Sequence, residues 1–215
     1  MSEPFFIDVI SDVICPWCFL GKRRLDKALA LLDGVKVMVR WRPFALDPTI
    51  PAEGINRIGY LTAKFGPERL KTLHDPLVAA GAKESVPFRF EAVTRTPNTL
   101  DAHRVIRWAH TVKRQHDMAE RLFMAYWSEG KDVGSRAVLA AEAGTVGINA
   151  AQIAELLASD QDVAEVNAEI AHASNIGVTG VPTYILGQSY ALVGAQSPEV
   201  LADAINRVAG EMAEA

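Results

Sequence analysis

Residues 5–22 read FFIDVISDVICPWCFLGK, an apolar run followed at once by a Cys-x-x-Cys motif. The run from Phe5 to Ser11 is short, apolar and rich in β-forming residues, so it predicts a buried strand. From Cys15 to about Leu32 the apolar residues recur at helical spacing, which predicts a helix that begins at the cysteines. The motif therefore lies at the junction between a strand and a helix.

A second strand is predicted after this helix. Residues 36–42 alternate in polarity, with Val37, Val39 and Trp41 on one face, as in a strand with one buried side. A strand, a helix and a strand in this order form a β-α-β unit, whose strands are parallel and whose connection is right-handed.

The middle of the chain has a helical pattern. Between about residues 55 and 176 there is no convincing alternation, and capping signals mark successive helices instead. Two of these are a helix from residue 67 to residue 81, and a long one that is capped by Asn98 or Thr99 and runs to about Gln115.

The last part of the chain returns to β-structure. The segments Thr183–Leu186 and Tyr190–Val193 flank a turn, which predicts a hairpin, and Ser197 with Pro198 begins a final helix. The order β-α-β, helical block, β-β-α predicts an α/β protein with a thioredoxin-like fold and a large all-helical insertion.

The same order predicts how the chain divides into domains. Residues 1–45 and 177–215 are assigned to a discontinuous thioredoxin-like domain, and the helix at about 162–176 bridges back to it. Residues 46–161 are assigned to the helical insertion domain.

Charge and cysteine content narrow the function. With 22 basic and 26 acidic side chains the formal net charge is −4, which gives no support for nucleic-acid binding. The first ten residues resemble neither a secretory signal nor a membrane span, so we expect a cytoplasmic protein without a membrane partner. Stable structural disulfides are unusual in that compartment. The two cysteines of the chain lie three positions apart in one motif, so their pairing is informative about function.

The position of the motif predicts different roles for its two cysteines. A helix start offers unpaired N–H groups and the positive end of the helix dipole, so Cys15 is predicted to have a lowered pKa and to attack as a thiolate. Cys18, one turn on, is predicted to be more buried, to stay protonated and to resolve a mixed disulfide at Cys15. Pro16 fits the first helical position and is a candidate substrate contact, and Trp17 is predicted to be exposed and to pack on a substrate.

A second candidate element is the segment Gly180-Val181-Pro182-Thr183, which comes immediately before a predicted strand. A cis peptide at Val181–Pro182 would explain a proline at this position, and the Val181 backbone could then pair with an extended peptide or with glutathione. Pro182, Val181 and Thr183 are therefore candidate site residues.

Other candidates have structural explanations of equal standing. His103 can line the cleft or be a packed helical residue, and Asn98 can contact substrate or only cap its helix. Asp12 can tune the thiols or serve as a turn residue, whereas Trp41, Trp108 and Trp127 are predicted to pack in the core or in the insertion. No second Cys-x-x-Cys accompanies the first, so no metal site is expected.

Five segments resemble the FrnE-like branch of the DsbA family: residues 12–22 (DVICPWCFLGK), 42–44 (RPF), 96–104 (TPNTLDAHR), 177–183 (GVTGVPT) and 193–196 (VGAQ). The resemblance spans nearly the whole chain. It implies a thioredoxin fold with a helical insertion, a redox-active cysteine pair and a cis-proline, and it places His103 near the cleft. The wider group includes 2-hydroxychromene-2-carboxylate isomerases and kappa-class glutathione transferases, which typically carry a serine at the position of Cys15 and lack the second thiol.

Three functional hypotheses follow. The first is dithiol–disulfide exchange with protein or small-thiol substrates, without a bound cofactor, with glutathione as a candidate co-substrate, and in either direction of electron flow. The second is a glutathione-dependent isomerase or transferase, for which Cys18 is not required. The third is a redox-linked chaperone whose helical block forms an apolar cleft. A monomer and a homodimer are both compatible with the sequence.

Overall fold

The computed structural model describes residues 4–214 of the chain. Its strands are β1 (Phe5–Ser11), β2 (Val37–Pro43), β3 (Ile55–Asn56), β4 (Arg95–Thr96), β5 (Thr183–Leu186) and β6 (Tyr190–Val193). Its helices are α1 (Pro16–Ala30), α2 (Arg57–Phe65), α3 (Pro67–Leu70), α4 (Asp75–Glu84), α5 (Leu100–Thr111), α6 (Gln115–Trp127), α7 (Arg136–Thr145), α8 (Ala150–Ala158), α9 (Val163–Asn175) and α10 (Pro198–Glu214), with a short 3-10 helix at Phe90–Ala92.

The central sheet has the strand order β2-β1-β5-β6, with β1 parallel to β2 and antiparallel to β5. Val9 of β1 lies opposite Trp41 on one side and opposite Tyr184 on the other. All three are buried, because β1 and β5 are interior strands of the sheet and helices pack against β2. The predicted order β-α-β followed by β-β-α is confirmed, and with it the thioredoxin-like fold.

Helices on the sheet position the cysteine motif. α1 packs against α10 and α4, while α5, α6 and α9 all contact β2. Leu25 and Ala28 of α1 are fully buried, as the helical spacing of its apolar residues predicts. The start of α1 is thus held at the end of β1 where the chain leaves the sheet.

The helical block between the two β regions differs in detail from the prediction. The helix predicted from residue 67 to residue 81 is wrong as a single element, because a turn closed by Thr72 and Asp75 separates α3 from α4. α2 was not predicted, although the side chain of Asn56 caps it by accepting a bond from the Gly59 N–H.

Two further differences lie nearby. The long helix after Thr99 ends at Thr111, since Lys113 adopts a positive φ of 59° and α6 begins only at Gln115. β3 and β4 form a two-stranded ladder inside the region predicted to lack strands, and two residues per strand are too few for an alternating pattern. The domain boundaries at residues 45 and 161 stay a prediction.

Within residues 4–214, no helix combines the length and the apolar character that a membrane crossing requires.

Candidate active site

The cysteine motif begins α1 in the way its sequence predicts. Cys15 is the N-cap residue with extended backbone angles, and Pro16 occupies the first turn, where a missing N–H costs no helical bond. Both cysteines are free thiols, and Cys15 is 4% exposed against 1% for Cys18. Trp17, between them, is 40% exposed, so its predicted exposure is confirmed.

Cys18 is buried in the hydrophobic core, close to the end of β1. The pKa of the Cys18 thiol is raised well above its usual value. Burial is the largest cause, and the hydrogen bond with Cys15 and the charge of Cys15 come after it. A hydrogen bond from the Ser11 side chain and one from the Asp12 backbone lower the pKa of Cys18 in part. Cys18 is therefore a protonated thiol at neutral pH, in contact with the thiol of Cys15.

The loop before β5 faces the cysteines, and its predicted cis peptide bond at Val181–Pro182 is confirmed. The Cys15 Sγ donates to the carbonyl oxygen of Val181 at 3.5 Å. The Thr183 hydroxyl donates to the Gly180 carbonyl oxygen at 2.7 Å, which fixes the turn around the proline. Cys15, Cys18 and the loop that contains Pro182 are thus brought together, as the sequence predicts.

A glycine permits this close approach. A Cβ atom on Gly21 of α1 would lie 2.8 Å from Pro182 Cγ and 2.5 Å from the Tyr184 Oη, closer than such contacts occur. The helix that carries the cysteines can therefore lie directly against the start of β5 only because residue 21 has no side chain.

Asp12 braces the turn that leads to Cys15. Its buried carboxylate accepts the Leu46 N–H at 2.7 Å and, more weakly, the Ile14 N–H at 3.4 Å. His103 is also buried, with its Nε2 3.6 Å from Asp12 Oδ1 and 3.1 Å from the Phe44 carbonyl oxygen. These contacts tie three segments of the chain together behind the cysteines.

His103 and Asn98 use their polar atoms within the protein. His103 also lines a cavity of about 300 Å³ beside β2, together with Ser11 and Trp41. The Asn98 amide donates to the Ile50 carbonyl oxygen at 2.8 Å and accepts the Leu100 N–H at 3.0 Å. For both residues a contact with substrate stays a prediction.

Two residues at the site were missed by the sequence analysis. Ser11, the last residue of β1, makes a side-chain hydrogen bond with the Cys18 thiol. Tyr184 of β5 lies against Gly21. A polar residue at the end of an apolar strand was the only sequence signal for Ser11, and Tyr184 had none. The predicted core role of Trp41, Trp108 and Trp127 is confirmed, since each is buried.

In the part of the chain that the structure covers, no group of three or more His, Cys, Asp and Glu side chains is arranged to hold a metal ion.

Comparison with known proteins identifies a family for the chain and structures that are similar to it. A family model described as a DSBA-like thioredoxin domain matches residues 6–206. The crystal structure of a probable DsbA oxidoreductase from Streptomyces coelicolor is similar to the chain, with 31% identity, a TM-score of 0.87 and coverage of 96% of this chain and 91% of that one.

Two more distant structures share the fold. A 2-hydroxychromene-2-carboxylate isomerase is 18% identical, with a TM-score of 0.74 and coverage of 97% of this chain and 98% of its own. The cytosolic disulfide reductase DsbM from Pseudomonas aeruginosa, in a structure with GSH, is 17% identical, with a TM-score of 0.65 and coverage of 98% and 100%. At these identities the likeness concerns the fold alone.

Proposed function

Since the chain belongs to the DsbA-like thioredoxin domain family, we propose that it exchanges disulfides with protein or small-thiol substrates through Cys15 and Cys18. The predicted family resemblance is confirmed at this level. The observation that carries the proposal is the meeting of two free thiols with the loop before β5, where Cys15 Sγ lies 3.5 Å from the Val181 carbonyl oxygen.

Cys15 is the proposed attacking sulfur. As the N-cap residue it lies at the positive dipole end of α1, which favours a negative sulfur. As a thiol its sulfur caps no N–H of the helix and bonds the Val181 carbonyl oxygen instead. The first turn of α1 contains no acidic residue that would oppose this charge. The Cys15 thiolate attacks a substrate disulfide, and a mixed disulfide forms as one substrate thiolate leaves.

Cys18 is the proposed resolving sulfur. Its raised pKa keeps it protonated until the mixed disulfide forms, and its contact with Cys15 gives it the short reach that resolution needs. After losing its proton it attacks the Cys15 sulfur, which releases the second substrate thiolate and leaves a Cys15–Cys18 disulfide. In the opposite direction, a substrate thiolate attacks the oxidised pair at Cys15.

The substrate chain is proposed to lie along the loop that contains Pro182. Among residues 4–214, the N–H of Val181 makes no hydrogen bond. Within the same residues, its carbonyl oxygen accepts a hydrogen bond from the Cys15 thiol alone. An extended peptide or glutathione can pair with this backbone in β fashion. The exposed ring of Trp17, which follows Pro16, is proposed to make apolar contact with the same substrate.

Glutathione is proposed as a co-substrate, and no bound cofactor is needed because the two thiols carry both electrons. We also propose a cytoplasmic location, which is supported by the cytosolic disulfide reductase that shares the fold. The reaction requires residues of one chain, so it is compatible with either a monomer or a homodimer.

The test is equilibration of the protein in glutathione buffers of graded ratio, with quenching by an alkylating agent and measurement of mass. We expect a single two-electron transition between dithiol and disulfide forms of the Cys15–Cys18 pair. If the pair stays reduced at every ratio, including glutathione disulfide alone, the proposal is wrong.

A glutathione-dependent isomerase or transferase is the second candidate, and it is favoured by the fold shared with 2-hydroxychromene-2-carboxylate isomerase. That chemistry does not require Cys18. Turnover of an aromatic isomerase substrate with glutathione, undiminished by Cys18→Ala, would support it. The redox-linked chaperone stays a prediction, and a holdase assay on the variant without either cysteine tests it.

A further inference from the structure

Tyr184 carries a hydroxyl that the fold itself does not use. It follows Thr183 in β5 and is fully buried, yet its Oη has no hydrogen-bond partner among residues 4–214. Burying a hydroxyl without a partner is costly, and most buried polar atoms in proteins are paired. The position therefore suggests an acceptor that exists only at another stage of the reaction.

The hydroxyl lies over the face of α1 that carries Cys18. Its Oη is 2.5 Å from the position that a Cβ on Gly21 would take. Gly21 follows Cys18 by three residues, so the two share one face of the helix, and a Cβ on a helix tilts toward the N-terminus and hence toward Cys18. The hydroxyl thus fills the space that the missing side chain of Gly21 leaves on this face of α1.

Burial and the surrounding charges keep the Tyr184 hydroxyl protonated, so that it can donate a hydrogen bond. Burial, and after it the charge of Cys18, raises the pKa of Tyr184, while Arg24 opposes this shift and Cys15 adds to it. A phenol whose pKa is raised stays protonated at neutral pH. It can therefore donate a hydrogen bond to a negative sulfur and cannot become a competing anion.

That sulfur appears during disulfide exchange. A substrate thiolate attacks the Cys15 sulfur of the Cys15–Cys18 disulfide, the S–S bond breaks, and its electron pair passes to Cys18 as a thiolate. The substrate is then joined to Cys15 as a mixed disulfide, and the Cys15–Cys18 pair has supplied the oxidising equivalents. In the free dithiol, by contrast, the Cys18 thiol makes hydrogen bonds with the side chains of Cys15 and Ser11.

We propose that the Tyr184 hydroxyl donates a hydrogen bond to the Cys18 thiolate, and so stabilises the leaving sulfur when the disulfide opens and the attacking sulfur when it re-forms. This inference rests on the proposed disulfide exchange and names a third side chain that takes part in it. A packing role alone would need only the ring, and removal of an unpartnered hydroxyl would then be neutral or stabilising.

Tyr184→Phe separates the two roles, because it keeps the ring and removes only the hydroxyl. Tyr190→Phe, on the neighbouring strand β6 and exposed, is the matched control. The oxidised proteins are mixed with excess reduced glutathione, and opening of the disulfide is followed by quenching with an alkylating agent. We expect opening to be about tenfold slower in Tyr184→Phe and unchanged in Tyr190→Phe, because a hydrogen bond to a charged group changes an equilibrium by about that factor.

A second measurement does not depend on turnover. In the Cys15→Ser background, the Cys18 thiolate is titrated by its ultraviolet absorbance with and without Tyr184→Phe. Arg24 and Asp26, whose charges also act on Tyr184, are the same in both proteins. We expect the acid dissociation constant of Cys18 to fall about tenfold when the hydroxyl is removed.

The outcomes separate this inference from the proposed function. Equal opening rates and equal titrations for Tyr184→Phe and its parent would overturn the role of the hydroxyl, even if exchange itself is observed. If the parent does not exchange disulfides, the proposed function fails and the titration still decides the hydroxyl's role. We expect the thermal midpoint of Tyr184→Phe to be unchanged or raised, and a slower rate explained by loss of folded protein would also overturn the inference.

Discussion

The indole Nε1 of Trp127 donates a hydrogen bond of 3.0 Å to the carbonyl oxygen of Val13. Trp127 ends α6 and is fully buried, while Val13 lies in the turn that leads from β1 to Cys15. The bond therefore joins the helical block directly to the turn that presents Cys15, the proposed attacking cysteine. One consequence is that the block supports the geometry of this turn.

Trp127→Phe tests this support. The change removes the donor and leaves the Val13 carbonyl oxygen buried without a partner, which costs about 1–3 kcal/mol. We expect lower stability in urea unfolding and slower disulfide exchange, because the turn before Cys15 loses its anchor. Trp41→Phe is the control, since its indole donates to the His116 ring at 3.2 Å and not to the turn before Cys15. Equal exchange rates in the two variants would contradict the role of the Val13 bond.

The two cysteines should respond differently to substitution. With Cys15→Ser we expect no reduction of insulin and no exchange with glutathione disulfide, because the raised pKa of the buried Cys18 leaves almost no thiolate to attack a substrate. With Cys18→Ser we expect covalent mixed disulfides at Cys15 that persist, because the resolving thiol is missing. Mass spectrometry under non-reducing conditions distinguishes the two. Full activity of Cys15→Ser would exclude its role as the attacking sulfur.

Alkylation should also separate the thiols by pH. Because burial and Cys15 raise the pKa of Cys18, its thiolate is scarce near neutral pH and grows only in strongly alkaline solution. We expect iodoacetamide at pH 7 to modify Cys15 alone. In Cys15→Ser the burial of Cys18, which is the largest cause of its raised pKa, remains, so its modification should still increase only as the pH rises above the usual thiol range. Rapid labelling of Cys18 at pH 7 would show that its environment is not the one described.

The elements that form the site could be predicted because each has a local signal. The strand Phe5–Ser11, the helix start at Cys15 and the cis bond before Pro182 all follow from patterns within a few residues. The N-cap of α8 also has a local signal, since an asparagine at residue 149 precedes the helix and its side chain accepts the N–H groups of Ala151 and Gln152.

What the sequence could not provide are contacts between distant segments. Nothing near Tyr184 indicates that its hydroxyl lies over Gly21, and nothing near Asp12 indicates that it accepts the Leu46 N–H. The break between α3 and α4 was missed for a related reason, because four residues are too few to show helical periodicity.

Gly21 offers a test of the packing between α1 and the loop that contains Pro182. Alanine normally stabilises a helix by about 1 kcal/mol relative to glycine. At residue 21, however, the added Cβ would lie 2.5 Å from the Tyr184 Oη and 2.8 Å from Pro182 Cγ, and such overpacking costs about 1–3 kcal/mol. We therefore expect Gly21→Ala to be less stable than its helical control Gly210→Ala in chemical unfolding.

The control Gly210 lies in α10, and a Cβ there would meet nothing within 4 Å. We expect Gly210→Ala to be as stable as the parent or more so, with unchanged exchange. If Gly21→Ala gains the same stability and keeps full exchange, then α1 does not pack on the loop as closely as described.

Arg104 holds together the helices behind the site. Its fully buried guanidinium donates to the carbonyl oxygens of Gln161, Leu156 and Ser159 and to Asp101 at 2.6 Å. The loop from α8 to α9 is thereby fixed to α5. Removing the guanidinium leaves the carbonyl oxygens of Gln161 and Ser159 without this donor and takes one of two arginines from Asp101, a loss that costs about 3 kcal/mol.

Arg104→Met tests this anchor against a matched arginine on the same carboxylate. Arg136 also bonds Asp101, at 2.8 Å, but its side chain is 57% exposed, and exposed ion pairs contribute no more than about 1 kcal/mol. We expect Arg104→Met to lower the free energy of unfolding by about 3 kcal/mol and Arg136→Met to leave it nearly unchanged. Similar small losses in both variants would mean that the carbonyl oxygens find other donors, and that the α8–α9 loop does not depend on Arg104.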